Sequence, residues 1–206
     1  MWRRCTLSII VWGVFWTTSA AALPAKPWVD QRPERLENIA TVDQHGREVI
    51  LNTLRGKFVL ADFIYTSCPG VCSLTTSRMV KVANFLGSVA GNDLLLVSFT
   101  VDPEHDDPHR MLAYSRREGA DGREWLFLTA TPANIERIMR DFNLIRQKQP
   151  DGSVDHVLYF FLLGPDGKEV AMYDPFRSSP EAIAAAIKRT IAQCSSRAGR
   201  QPATSP

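Results

Sequence analysis

Two cysteines stand close together in the middle of the 206-residue chain, in the segment Cys68-Pro-Gly-Val-Cys72. Paired thiolates do two kinds of chemistry in proteins: they cycle between dithiol and disulfide, or they bind a soft metal ion. Redox motifs of the Cys-x-x-Cys type have two residues between the cysteines, whereas this pair has three. The wider loop leaves room for an ion between the sulfurs and still permits a disulfide, so both kinds of chemistry stay open.

The cysteine pair follows a strongly apolar segment, residues 58–65, which predicts a strand buried on both faces of a sheet. Residues 73–86, after the pair, predict a helix. Backbone N–H groups at the start of a helix favour a thiolate and lower the pKa of a cysteine. Pro69 biases Cys68 towards an extended conformation, and Gly70 allows the loop to fold back. We therefore expect the two sulfurs to converge at a strand-to-helix junction.

His156 is the histidine whose position best suits a third ligand. It stands at the head of the apolar segment 157–163, a predicted strand, and strand ends lie at the sheet edge where α/β proteins place ligand sites. From the residues alone, a metal ligand and a buried histidine bonded to a backbone carbonyl are equally good interpretations. His105 and His109 have the four-residue spacing of ligands on a helix, but Pro108 puts His105 outside that helix.

Two thiolates and one imidazole would form a three-ligand site for a soft metal. Structural zinc sites almost always have four protein ligands, and no fourth cysteine or histidine suggests itself. Cys5 lies in the N-terminal segment, and Cys194 lies near the end of the last predicted helix, where we interpret it as a peripheral thiol. Sulfur ligands with one imidazole favour copper, because Cu(I) accepts low coordination numbers.

The other segments of the sequence predict an α/β fold. Hairpins are predicted at residues 39–51 and 157–173, a second buried strand at 94–101, and helices at 109–118, 132–142 and 179–191. Asp107 and Thr131 are the predicted caps of the first two of these helices, each directly before a proline in the first turn. A strand–helix–strand unit followed by a helix, a hairpin and a helix predicts a mixed central sheet with helices on both faces. A thioredoxin-like domain has this order, and the N-terminal β-hairpin, with Gly46 in its turn, is an addition to it.

Residues 1–22 have the order of a secretory signal peptide. Two arginines come first, an apolar run follows at 7–16, and small residues at 19–22 mark the expected cleavage site. An uncleaved membrane anchor is the other interpretation, because residues 5–23 approach the length of a membrane-spanning helix. Both interpretations place the rest of the chain outside the cytoplasm.

The rest of the chain divides into three parts. Residues 23–35 are proline-rich and predict a linker or arm, residues 36–194 form the folded domain, and residues 195–206 have the composition of a disordered tail. The formal net charge is +2, from 24 lysines and arginines against 22 aspartates and glutamates, without a basic run or stripe. This charge pattern excludes a nucleic-acid-binding surface.

Four segments, taken together and in order, resemble the Sco/SenC family of thioredoxin-like copper proteins. They are residues 62–72 (Asp-Phe-Ile-Tyr-Thr-Ser-Cys-Pro-Gly-Val-Cys), 99–108 (Phe-Thr-Val-Asp-Pro-Glu-His-Asp-Asp-Pro), 154–156 (Val-Asp-His) and 164–167 (Gly-Pro-Asp-Gly). The resemblance implies that Cys68, Cys72 and His156 bind copper. It also implies that Asp102 stands beside the site without being a ligand.

The chain departs from the family pattern at two places near the cysteines. Ser73 stands where family members usually have proline, and Gly70 stands before Val71 where an acidic residue is common. Neither change removes a ligand. Both affect the stiffness of the loop, and with it the balance between metal binding and disulfide exchange.

The function that the resemblance implies is that of an exported copper metallochaperone and not of an enzyme. It would bring Cu(I) or Cu(II) to the copper-containing subunit of cytochrome c oxidase or to another copper protein. The alternative is a thiol–disulfide oxidoreductase that reduces cysteines of a partner through a redox-active Cys68–Cys72 disulfide and draws on a thiol reductant. His156 separates the two hypotheses, because copper needs it and dithiol exchange does not. The expected location is the periplasm, either free or attached to the membrane through the N-terminus.

Overall fold

The computed structural model describes residues 35–122, 124–149, 154–155 and 158–198. The chain divides into two units, Met1–Gln31 and Arg32–Pro206, and every described residue belongs to the second. The predicted signal peptide, nearly all of the predicted linker, and His156 lie outside the described residues.

A five-stranded sheet forms the centre of the described domain. Its strands, in spatial order, are β5 (Trp125–Leu128), β4 (Leu94–Thr100), β3 (Phe58–Ile64), β8 (Phe160–Leu163) and β9 (Glu169–Tyr173). β3, β4 and β5 run parallel, while β8 and β9 pair in antiparallel fashion beside β3. The mixed sheet confirms the prediction. The predicted strand that is buried on both faces is also confirmed, because all seven residues of β3 are buried.

Helices cover both faces of this sheet, as predicted. They are α1 (Val71–Leu86), α3 (Pro108–Arg117), α4 (Pro132–Asp141) and α5 (Pro180–Ala198). α1 packs against α5, and the Tyr114 hydroxyl of α3 lies 2.8 Å from the Thr76 hydroxyl of α1. Phe142, directly after α4, packs against Phe63 of β3 with 5.1 Å between ring centroids. Because neighbouring residues of a strand point to opposite faces, Phe63 and Asp62 face different helical layers.

The predicted N-terminal hairpin is present as β1 (Ala40–Val42) and β2 (Glu48–Ile50). Asp43 closes its turn by accepting hydrogen bonds from the backbone N–H groups of His45 and Arg47. Gly46 has a φ of +79°, a conformation that glycine adopts without strain. Val42 exchanges two backbone hydrogen bonds with Thr129, which follows β5, and these bonds attach the hairpin to the domain.

The predicted helix caps on α3 and α4 are confirmed. The Asp107 side chain accepts a hydrogen bond from the N–H of Arg110, and the Thr131 hydroxyl accepts one from the N–H of Asn134. These bonds satisfy donors that have no partner within the first turn of a helix. The first helix differs from the prediction, because α1 begins at Val71 and not at residue 73.

Short elements complete the described domain. They are a 3-10 helix (Leu51–Leu54), a helical turn α2 (Val89–Asn92), and the antiparallel pair β6 (Gln147–Lys148) and β7 (Val154–Asp155). The strand expected at 157–163 is observed as β8, which begins at Phe160. In the sequence, His156 therefore lies between β7 and β8.

The last helix extends further than the sequence predicted. It was expected to end at Ile191, yet α5 continues to Ala198 and overlaps the first four residues of the predicted tail. The physical reason is that residues 181–198 contain neither glycine nor proline, the two residues that most disfavour a helix. Within the described part of the chain, no helix is both long and apolar enough to cross a membrane.

Candidate metal centre

The cysteine segment connects the end of β3 to the first turn of α1. The N–H of Cys68 donates a hydrogen bond to the carbonyl of Tyr65, which closes a tight turn after the strand. Gly70 then has a φ of +148°, a conformation that other residues rarely adopt. The chain reverses there and enters the helix at Val71. The predicted strand-to-helix junction and the folding back at Gly70 are both observed.

Cys68 lies where several donors reach its sulfur. The backbone N–H of Cys72 lies 3.3 Å from the Cys68 Sγ. A hydrogen bond from the Cys72 thiol, the backbone N–H groups of Cys72 and Gly70, and the Tyr65 hydroxyl together lower the pKa of Cys68 to about 5, against the opposing effect of burial. Cys68 is therefore a thiolate at neutral pH, as a position at a helix start predicts.

Cys72 is in the opposite protonation state. It is fully buried, at 0% exposure, in the first turn of α1. Its hydrogen bond to the Cys68 sulfur, together with burial, raises the pKa of the Cys72 thiol. The two cysteines thus share one negative charge at neutral pH, and no disulfide joins them in the described structure. A metal ion that binds both sulfurs must displace the proton of Cys72.

Tyr65 joins the cysteine segment to the strand that precedes His156. Its hydroxyl accepts a hydrogen bond from the backbone N–H of Val154 at 3.3 Å and donates one to Cys68. Burial and the neighbouring Cys68 sulfur raise the pKa of Tyr65 to about 12. Tyr65 was not predicted as a site residue, although a tyrosine at the end of a buried strand, three residues before a cysteine, was a visible signal.

Asp106 anchors the residues just before Cys68. It is completely buried and accepts hydrogen bonds from the backbone N–H of Thr66 at 3.1 Å and from the Thr100 hydroxyl at 2.6 Å. Burial raises the pKa of Asp106, although hydrogen bonds from the hydroxyls of Thr100 and Thr66 oppose this effect. The residue holds the turn before the cysteines against the end of β4. Because residues 102–107 contain three aspartates, the sequence alone could not identify the one in this position.

Asp62 is a second buried carboxylic acid that the sequence analysis missed. Its Oδ1 accepts a hydrogen bond from the Ser98 hydroxyl at 2.6 Å, and that hydroxyl accepts one from the indole N–H of Trp125. Its Oδ2 has no hydrogen-bond partner among the described residues. Burial raises the pKa of Asp62 to about 7, and its charge contributes to the raised pKa of Cys72. The signal was one charged residue inside an apolar strand.

Replacing Asp62 by asparagine should change how stability depends on pH. Because the pKa of Asp62 is about 7 in the folded protein and about 3.8 otherwise, the folded state binds more protons between these values. Wild-type stability should therefore fall as the pH rises from about 4 to about 8. Relative to wild type, Asp62→Asn should gain roughly 2–4 kcal/mol over this range, because it cannot ionise.

The measurement is denaturant unfolding of both reduced, metal-free proteins at several pH values. The quantity to compare is the difference in free energy of unfolding between the two proteins, and how that difference changes with pH. Any constant cost of the amide cancels in this change. Asp121→Asn, on the partly exposed Asp121 that pairs with Arg116, serves as the control and should follow wild type. Parallel pH curves for Asp62→Asn and wild type would contradict the raised pKa.

The comparison with known proteins places the chain in a family. The sequence profile of the SCO1/SenC family matches residues 32–192. The SCO1 protein homolog of Bacillus subtilis (strain 168) is 34% identical over 142 residues, which cover 67% of this chain and 72% of the relative. The chain belongs to the SCO1/SenC family.

Solved structures of SCO1/SenC proteins have the same fold. BsSco, a member of the Sco family of cytochrome c oxidase assembly proteins in which a disulfide switch was identified, is 31% identical, with a TM-score of 0.66 over 78% of this chain and 95% of that chain. Bradyrhizobium japonicum ScoI with copper bound is 28% identical, with a TM-score of 0.65 over 74% and 96%. The predicted thioredoxin-like fold is confirmed.

Ser73, which replaces the usual SCO1/SenC proline, has a structural partner. Its hydroxyl donates a hydrogen bond to the Glu118 carboxylate at 2.9 Å. Glu118 directly follows α3, so the bond links the first turn of α1 to the end of α3.

The structure brings together only part of the ligand set predicted for this SCO1/SenC chain. Cys68 and Cys72 are adjacent, whereas His156 lies outside the described residues. Asp102 follows β4, and its Oδ2 lies 2.9 Å from the Nδ1 of His105. Among the described residues, no group of three or more His, Cys, Asp or Glu side chains could hold a metal ion. The three-ligand site and the role of Asp102 therefore stay predictions.

Proposed function

We propose that this chain is an exported copper metallochaperone that assists the assembly of the copper centre of cytochrome c oxidase. Cys68, Cys72 and His156 are its ligands, and they carry Cu(I), Cu(II) or both. The observation that carries the proposal is the sulfur pair: a Cys68 thiolate just before a helix start, with the Cys72 thiol hydrogen-bonded to it and no disulfide between them. Two sulfurs that already adjoin can both ligate a soft ion once one proton leaves.

Three further observations support this assignment. The Tyr65 hydroxyl contacts both Cys68 and the N–H of Val154, two residues before His156. Within the same family, ScoI of Bradyrhizobium japonicum has been solved with copper bound. BsSco is a cytochrome c oxidase assembly protein. A copper-containing oxidase subunit, or another copper protein, is therefore the proposed recipient.

A thiol–disulfide oxidoreductase is the second candidate, and the unequal protonation of the two cysteines favours it. The half-buried Cys68 thiolate can attack a disulfide of a partner and release one partner thiolate. The Cys72 thiol loses its proton and then attacks the Cys68 sulfur of the mixed disulfide. The partner is released in its reduced form, and this protein keeps a Cys68–Cys72 disulfide. A thiol reductant must restore the dithiol. The same protein could prepare its recipient's cysteines for copper in this way.

We also propose that the protein works in the periplasm, either free or held at the membrane through its N-terminus. The basic start, apolar run and small residues of segment 1–22 support this proposal. The mass of the exported protein distinguishes the two forms. A species that begins after residue 22 is the cleaved form, and a full-length species in the membrane is the anchored form.

Copper binding with its proton release is the test of the proposed function. Reduced protein should bind one copper per chain and release about one proton at pH 7, because Cys68 has already lost its own and Cys72 has not. Affinity for Cu(I), measured against a competing chelator, should rise about tenfold per pH unit between pH 7 and 8.5. Reduced protein that binds no copper, yet reduces disulfides, would make the oxidoreductase the better assignment.

A further inference from the structure

Exposed apolar side chains lie on the first turns of α1, beside the cysteine pair. Val71 is 43% exposed and Leu74 is 51% exposed, although both are large and apolar. Residues three apart on a helix lie on one face, so the two side chains adjoin. The helix begins at Val71, directly after the chain reversal at Gly70. The apolar surface therefore starts where the cysteine segment ends.

A third apolar side chain joins this surface through Arg78. Arg78 lies one turn beyond Leu74 on the same face of α1. Its guanidinium lies 5.9 Å from the centre of the Phe176 ring and donates a hydrogen bond to the carbonyl of Ser178. Phe176 is itself 43% exposed. We call Val71, Leu74, Arg78 and Phe176 the α1 surface.

Basic residues surround the α1 surface. The charged residues of α1 are Arg78 and Lys81, and the helix has no acidic residue. Arg177 is exposed beside Phe176. Two carboxylates near this surface are already hydrogen-bonded: Asp174 accepts from the backbone N–H groups of its own turn, and Glu118 accepts from the Ser73 hydroxyl of α1. The rim thus complements an acidic partner.

Access to the sulfurs explains why a partner must cover this surface. Cys72 is fully buried, so an incoming sulfur meets the pair through Cys68. A disulfide bond requires the two sulfurs to approach within about 2 Å, and transfer of a metal ion needs a similarly close approach. Val71 follows Cys68 by three residues, so a protein that brings its own cysteine this close comes over the start of α1, where Val71 and Leu74 are exposed.

We propose that the α1 surface is the docking site for the protein partner that exchanges copper or disulfides with Cys68 and Cys72. The partner's reacting cysteines are flanked by apolar side chains, which bury Val71, Leu74 and Phe176, and by acidic side chains, which face Arg78, Lys81 and Arg177. The inference rests on the proposed function, because it assumes exchange at the cysteine pair. An anionic membrane would contact the same surface without exchanging anything with the cysteine pair, and vesicle binding tests for it.

Thiol exchange with synthetic peptides tests the docking site without copper. The probes are two disulfide-bonded peptides, one with leucine and glutamate beside its cysteines and one with serine and lysine, and a small neutral reference, 2-hydroxyethyl disulfide. Reduced wild type should react at least about tenfold faster with the acidic, apolar peptide than with the basic one. This preference should decrease as salt concentration rises, because salt screens the charges.

Leu74→Gln is the test variant, and Phe85→Gln is its matched control. Phe85 is 49% exposed on the same helix, far from the cysteines. Leu74→Gln should slow the reaction with the acidic, apolar peptide at least about fivefold, which is the size expected when one buried apolar contact is lost. Its rate with 2-hydroxyethyl disulfide and its copper binding should stay within about twofold of wild type, and Phe85→Gln should match wild type throughout.

Several outcomes would overturn the docking proposal. One is that Leu74→Gln reacts with the acidic, apolar peptide as fast as wild type does, and another is that it loses the same factor in rate with 2-hydroxyethyl disulfide. Either result would contradict a contact between the partner and Leu74. Binding of phosphatidylglycerol vesicles by wild type, lost in Leu74→Gln, would make the surface a membrane contact instead. If copper binds as proposed but the peptides are not distinguished, the docking site alone is wrong. If the peptides are distinguished but copper does not bind, the copper function alone is wrong.

Discussion

Oxidation of Cys68 and Cys72 to a disulfide is expected to abolish copper binding. A sulfur in a disulfide is no longer a thiolate, and only thiolates ligate metal ions strongly. Oxidation therefore removes two of the three proposed ligands at once, and His156 alone should not hold Cu(I). The measurement is the copper content per chain of oxidised protein after gel filtration, with the disulfide verified by mass. Reduction should restore one copper per chain.

Cys194→Ser provides the control for this experiment. Cys194 is half-buried in α5 and is the third cysteine of the described residues. Its removal leaves Cys68 and Cys72 as the pair that oxidation can join within the folded domain, and the variant should bind copper as wild type does. Copper that remains bound after complete, verified oxidation would place the metal site elsewhere in the chain.

Replacement of His156 by alanine is expected to weaken copper binding at least about tenfold. The basis is that even residues next to metal ligands commonly contribute about 10–100-fold to affinity. The variant should still cycle between dithiol and disulfide, because that exchange involves the two sulfurs alone. Competition with a Cu(I) chelator measures the first effect, and titration of thiols before and after oxidation measures the second.

His105→Ala is the matched control for this variant. His105 is an exposed histidine whose Nδ1 contacts Asp102, and it should leave copper affinity within about twofold of wild type. Thermal unfolding of both variants shows whether any loss reflects misfolding. A well-folded His156→Ala protein that binds copper as tightly as wild type would remove the metal role of His156, and the oxidoreductase assignment would then lead.

The two experiments separate the candidate functions because they act on different atoms. Oxidation affects the sulfurs, which both functions need, whereas His156→Ala affects a side chain that only copper binding needs. The asymmetric protonation of Cys68 and Cys72 suits either function. The site geometry thus supports a protein that binds copper when reduced and exchanges disulfides when copper is absent.

The local sequence determined most of the fold and the position of the cysteine pair. Apolar runs predicted β3 and β4, turn residues predicted both hairpins, and Asp107 and Thr131 predicted the starts of α3 and α4. These signals were sufficient because hydrophobic periodicity, turns and caps depend on residues close in sequence. The errors have related causes. The start of α1 and the end of α5 have only weak signals in the local sequence, and the pair β6–β7 depends on pairing between two separate segments.

Only the tertiary structure decided the protonation and support of the site. The pKa of Cys68 depends first on the neighbouring Cys72 and to a smaller extent on Tyr65, whose hydroxyl also bonds to Val154, 89 residues away in the sequence. Asp106 meets Thr66 across 40 residues, and Asp62 meets Ser98 across 36. Burial and hydrogen bonds between distant segments set these properties, and neither leaves a periodic pattern in the sequence. Residue types and spacing could therefore predict which atoms react, while the folding of the domain, which buries Cys72 and leaves Cys68 half-buried, determined which sulfur carries the charge.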